Sequence, residues 1–186
     1  MVIHEKGLLR AMKQAYKRTG YTVAAESSGA IENIIIATGK WAVVVEKKNL
    51  PRKILGLIAE HLGDIPADGE AYQVKVKEPQ IEIYDVVQQT IRSLHPEGKP
   101  LLLVKRTNLS VGSCQLWQRK DDLKIFKVHP DMEDIVVTQR GIMRIIGDET
   151  MMVDDLGSRA YIAVEKLEAS EETIFEHMAK IQCVAM

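Results

Sequence analysis

The stretch from Ile34 to Glu46, Ile-Ile-Ile-Ala-Thr-Gly-Lys-Trp-Ala-Val-Val-Val-Glu, constrains the fold of this chain more than any other. It reads as two strands joined by a tight turn at Thr38-Gly39-Lys40. Ile34, Ile36, Val43 and Val45 are apolar and β-branched, and so are Ile35 and Val44 between them. Side chains alternate across a strand, so a hairpin apolar at both parities needs cover on both faces. That cover is to come from helices of the same half, from strands of the other half, or from a second copy of the chain.

An amphipathic helix, Pro51 to about Leu62, follows the hairpin directly. Asn49 suits its cap, Pro51 its first turn, and Ile54, Ile58 and Leu62, with Leu55 and Leu57, its buried face. Gly63 ends it. Upstream, residues 4–19 carry Leu8, Met12 and Tyr16 at helical spacing, beside Leu9 and Ala15, and Gly20 is a natural stop. Tyr21 to Glu26 alternates as a short strand, and Ser27 to Ala30 is a turn. Ala71 to Lys77 alternates with one wet face, as a strand near a sheet edge does. Residues 80–94 carry Ile83, Val87, Ile91 and Leu94 as a further helix, which His95 to Pro100 breaks.

The second half opens with Leu101 to Val104 as a buried strand. With Ser113 to Gln118 and Leu123 to Val128 it makes an antiparallel meander. Pro130 to Val137 is ambiguous. Gly141 to Ile146 and Met151 to Val153 form a hairpin, Ala160 to Val164 is a strand, and Ser170 caps a last helix with Ile174, Met178 and Ile181 on its apolar side. The resulting expectation is an α+β protein, mainly antiparallel, with four helices on its sheets. The pattern allows two similar βα subdomains, 1–95 and 100–186, or one continuous domain. Ala71-Tyr72 and Ala160-Tyr161 each open a strand followed by a helix, a weak internal echo better explained by chance.

Bulk properties narrow the function. A chain of 186 residues has room for an adequate core without metal or disulfide. Its two cysteines, Cys114 and Cys183, are far apart and fit a reducing compartment. Neither a secretory leader nor an 18-residue apolar run is visible, so the cytoplasm is the expected location and a membrane is not an expected partner. A formal net charge of −1 lacks the basic excess of a dedicated nucleic-acid binder. The first twenty residues are the exception, with Lys6, Arg10, Lys13, Lys17 and Arg18 against Glu5 alone. A basic amphipathic helix can meet a phosphate backbone, although a solvated face is the commoner role.

The motifs that promise chemistry are incomplete. Gly39-Lys40 lacks a phosphate-loop frame, because Ile34 stands where a glycine is needed and Trp41 where Ser or Thr is needed. Gly98-Lys99 fails in the same way, and no GxGxxG occurs. His4, His61, His95, His129 and His177 are each alone. His61 has Glu60 beside it and Asp64 at i+3, a spacing that can share a metal, but a histidine also suits a helix C-terminus. His129-Pro130-Asp131-Met132-Glu133-Asp134 is rich in ligand types, and carboxylates after a proline equally suit a helix start. Asp148, Glu149, Asp154 and Asp155 could do acid–base work, bind a divalent metal or simply solvate turns and edges. Cys114 lies in a strand without a nearby histidine, and the Asn108-Leu109-Ser110 sequon has no use in the cytoplasm. Trp41, Trp117 and Phe126, each flanked by Lys or Arg, suit either core anchoring or a nucleic-acid-stacking face.

No cofactor or metal is expected, and no catalytic residue can be named. The sequence points first to a non-catalytic interaction or assembly protein, with a homodimer served by the apolar strands and the methionine-containing C-terminal tail. The alternatives are a small enzyme using the second-half carboxylates with a histidine, or a nucleic-acid-associated regulator using the first helix.

Overall fold

The structure, a computed structural model, describes residues 1–76, 81–82, 98–137 and 141–167. Its elements in order are α1 (Glu5–Arg18), β1 (Tyr21–Ser28), β2 (Ile31–Ala37), β3 (Trp41–Glu46), a 3-10 turn (Lys47–Asn49), α2 (Arg52–Leu62), β4 (Ala71–Val74) and β5 (Ile81–Glu82). Then come β6 (Leu101–Val111), β7 (Cys114–Arg119), β8 (Ile125–Val128), α3 (Pro130–Glu133), β9 (Ile142–Ile146), β10 (Thr150–Asp155), β11 (Ser158–Ala163) and β12 (Glu165–Lys166). The class is α+β, with a large antiparallel sheet.

The described residues contain three helices rather than four. Ile81 and Glu82 do not start a helix but pair with Gln73 and Tyr72, extending the sheet beyond β4. The rest of the helix expected over 80–94 and the C-terminal helix lie outside the described residues. The added helix comes from the ambiguous segment: Pro130 sits in the first turn of α3, and His129 Nδ1 accepts from the Asp131 amide.

The strands run in the order β12-β8-β7-β6-β9-β10-β11-β3-β2-β1-β4-β5. The junction between the two halves is β3 with β11, where Val45 faces Ser158, Val43 faces Ala160 and Trp41 faces Ile162. Strand β6 is the other joint. Its first residues pair with β9, and its remainder pairs with β7 across an irregularity between Arg106 and Ser110. Ala71-Tyr72 stands next to the β5 edge, whereas Ala160-Tyr161 stands mid-sheet, so the two Ala-Tyr pairs occupy different places.

Alternation sorts the hairpin as its sequence demands. Ile34, Ile36, Trp41, Val43 and Val45 join one large core with Leu8 and Met12 of α1 and Ile54, Leu57 and Ile58 of α2. Ile35, Ala37 and Ala42 point the other way and are also buried. They cluster with Ala24, Ala71, Ile146, Met152 and Tyr161, and no residue of α1 or α2 belongs to those clusters. Burying one such aliphatic side chain stabilises by about 1.5–3 kcal/mol, which favours this strand arrangement over any that turns a face to water.

Both longer helices stop at left-handed glycines, Gly20 at φ +80° and Gly63 at φ +88°. Gly7 has a different purpose. A Cβ there would stand 1.7 Å from the carbonyl oxygen of Asp134, so the first turn of α1 lies directly against the chain after α3.

Candidate functional site

The second-half carboxylates do not converge. Asp148 is the hub of a cation cluster: Lys124 Nζ lies 2.8 Å away, Lys166 Nζ 3.0 Å and Arg119 3.6 Å. Hydrogen bonds from Lys124 and then Lys166 hold its carboxyl below the usual carboxylate range, against the opposing effect of burial. Arg119 also bonds Asp122, whose pKa that contact lowers, and bridges Asp121 at 3.0 Å. Asp154 accepts from Arg144 at 2.7 Å across β9 and β10, and Asp155 from the Met1 ammonium at 2.9 Å. These ion pairs clamp turns and strands together. A carboxylate held by cations is a poor base and a poor metal ligand.

The histidine neighbourhoods resolve likewise. Glu133 bonds Arg106, and Asp134 takes His4 and Arg10. Asp64 accepts from the Ile65 amide rather than approaching His61. Among the described residues no group of three or more His, Cys, Asp and Glu side chains is placed to hold a metal ion. Cys114 is a free thiol, half-buried on β7. Cys183, His95 and His177 lie outside the described residues. Trp41, Trp117 and Phe126 are buried, which leaves them to the core and not to a stacking surface.

His61 has partners that its sequence neighbours do not predict. Its Nδ1 lies 2.7 Å from the Tyr21 hydroxyl, and its ring stacks on Tyr16 with centroids 3.8 Å apart and planes inclined by 15°. Burial, followed by the nearby Tyr16 and Glu60, pushes the Tyr21 phenol far above the ordinary tyrosine range. Burial also lowers the pKa of His61; Glu60 opposes that shift and Lys13 reinforces it. The pair is therefore neutral at pH 7. It ties α2 to β1 beneath the C-terminal end of α1.

Two surface regions remain. The first is one end of the sheet, where strand register brings together the β1–β2 tip, the end of β3 and the β10–β11 turn. A groove of about 320 Å³ runs between Ile31, Val44 and Arg159, and a second of about 350 Å³ lies between Ile31 and Lys47-Lys48. Ile31 is 46% exposed here, Ile142 50% and Leu156 94%. Leu156 at that exposure, on a two-residue turn, has no packing role.

The second region is the outer face of α1. Lys6, Arg10, Lys13 and Lys17 follow the i, i+4, i+7, i+11 positions of one helical stripe, with Arg18 beside it, and all five are exposed. Arg10 is paired with Asp134. Lys6, Lys13, Lys17 and Arg18 have no carboxylate partner among the described residues. Opposite them, Leu8, Met12, Ala11 and Ala15 are buried, so the stripe is carried on a rigid, well-packed helix.

Comparison of the chain with known protein families, curated proteins and solved structures finds no match. No helix among the described residues is long and apolar enough to cross a membrane.

Proposed function

We propose that this chain is a non-catalytic interaction or assembly protein of the cytoplasm. The observation that carries the reading is the engagement of acid–base groups among the described residues. Asp148, Asp154, Asp155, Asp134 and His61 each spend their hydrogen-bonding capacity on contacts that hold elements together. An enzyme needs such groups converging on a cleft with capacity left for substrate. The surface instead offers aliphatic side chains beside open grooves, at Ile31 and Leu156, which is what a partner-binding face offers. The free Cys114 thiol fits a reducing compartment.

Sedimentation equilibrium tests the assembly form of this reading. Self-association that weakens in Ile31→Asp and Leu156→Asp supports it. A mass of one chain at the highest attainable concentration overturns self-assembly.

A further inference from the structure

We infer that the outer face of α1, with the Tyr16–His61 ring stack at its end, is a binding surface for single-stranded nucleic acid; this names a partner class for the interaction reading and rests on it. Several cations elsewhere, Lys47, Lys53, Arg106, Arg144 and Lys166 among them, sit within 4 Å of a carboxylate. Lys40, Arg52, Lys99, Lys120 and Arg159 have none so close among the described residues, but they are scattered over separate elements and turns. What sets α1 apart is that Lys6, Lys13 and Lys17, unpaired as well, stand exposed on one helical stripe with Arg18 beside it. A net charge of −1 therefore conceals a local positive stripe. From Lys6 to Lys17 it extends about 16 Å along the helix axis, enough to follow several phosphates of an extended strand.

The aromatic component distinguishes this stripe from an ordinary solvated face. Tyr16 lies one helical turn from Lys13 and beside Lys17, and both Tyr16 and His61 are half-exposed. A neutral two-ring stack at the edge of a row of cations is the combination on which single strands lay their bases while their phosphates follow the charges. Glu60 borders the stack and opposes an anion there. A membrane surface fits less well. Leu8, Ala11, Met12 and Ala15 face inward and Leu9 packs in part against the core, which leaves little aliphatic surface on α1 to enter a bilayer.

Fluorescence anisotropy with a labelled oligothymidylate of about 20 nucleotides tests this on the full chain. About four phosphate contacts on a single strand predict a slope near −3 for log affinity against log salt, roughly a fifty-fold loss between about 50 and about 200 mM. Lys13→Glu with Lys17→Glu should weaken binding at least tenfold, whereas Lys40→Glu with Lys120→Glu, an equal change in net charge, should weaken it less than threefold. Glu60→Gln should tighten binding, a gain that misfolding cannot produce. Absence of binding at low salt overturns the inference. So does equal loss in the two double variants, or a preference for anionic phosphatidylserine vesicles over the oligonucleotide. Self-association that survives such a failure would leave the assembly reading standing without this surface.

Discussion

The Tyr21 hydroxyl and His61 Nδ1 lie 2.7 Å apart, joining the first residue of β1 to the last turn of α2. Forty positions of sequence separate them, and between them runs the β2–β3 hairpin, an interior pair of the sheet. The bond and the Tyr16 stack together fix how α2 sits against α1. The pair serves the architecture with groups that elsewhere would be read as an acid and a base.

The lowered pKa of His61 has a definite sign. As pH falls below the ordinary histidine value of about 6.5, the unfolded chain takes up the proton before the folded one does. Stability is therefore full above that pH and declines below it, through the window between the unfolded and folded values. Urea midpoints of wild type and His61→Gln between about pH 5 and about pH 8 measure it. The variant should lose part of the acid-side slope.

Gly7 and Gly56 are both helical glycines, and replacing each with alanine should have opposite effects. At Gly56 an added Cβ meets nothing within 4 Å, so Gly56→Ala should gain roughly 0.5–1 kcal/mol from propensity and chain entropy. At Gly7 the new carbon would collide with the Asp134 carbonyl, so Gly7→Ala should lose at least about 2 kcal/mol. Thermal denaturation of the two variants measures both signs.

Ile35 and Ile36 are adjacent on β2, point to opposite faces, and are 1% and 0% exposed. Truncating either to alanine should cost about 2–5 kcal/mol, the range for deeply buried aliphatic side chains. A near-neutral Ile35→Ala in a denaturant titration would mean that the outer face of the hairpin is open to water.

Asp148→Asn removes the charge that Lys124, Lys166 and Arg119 share. Half-exposed pairs of this kind are worth about 0.2–1 kcal/mol each, so a loss of about 1 kcal/mol near pH 7 is expected. Because its folded pKa is depressed, the wild-type advantage is present above the ordinary carboxylate value and disappears as pH falls through the folded one. Denaturant midpoints of the two proteins at neutral and strongly acid pH would show it.

Local periodicity made the hairpin, α1 and α2 legible in the sequence, since their signals lie within one or two turns of chain. The two-sided apolar pattern from Ile34 to Val45 also required a covered second face, and Ile35, Ala37 and Ala42 are buried. Long-range pairing was not legible. Asn108 to Gly112 reads as a turn in the sequence, yet β6 runs on to Val111 as part of an 11-residue strand. The β3–β11 junction leaves no spacing signature, because either strand is apolar enough to sit beside several others. The basic face of α1 could be read directly, but not which of its cations are neutralised. Asp134, the partner of Arg10, is 124 positions away.

That division of the cations is the point on which nucleic-acid binding by α1 depends, and lysine reactivity measures it most directly. Brief acetylation of the native protein, followed by mass spectrometry of each lysine, compares Lys6, Lys13 and Lys17 with the Asp148-bound Lys124 and Lys166. The account predicts fast modification of the α1 lysines, slow modification of the bound pair, and protection of Lys13 and Lys17 when an oligonucleotide is present. Equal rates at all five positions, with no protection by the oligonucleotide, would contradict it.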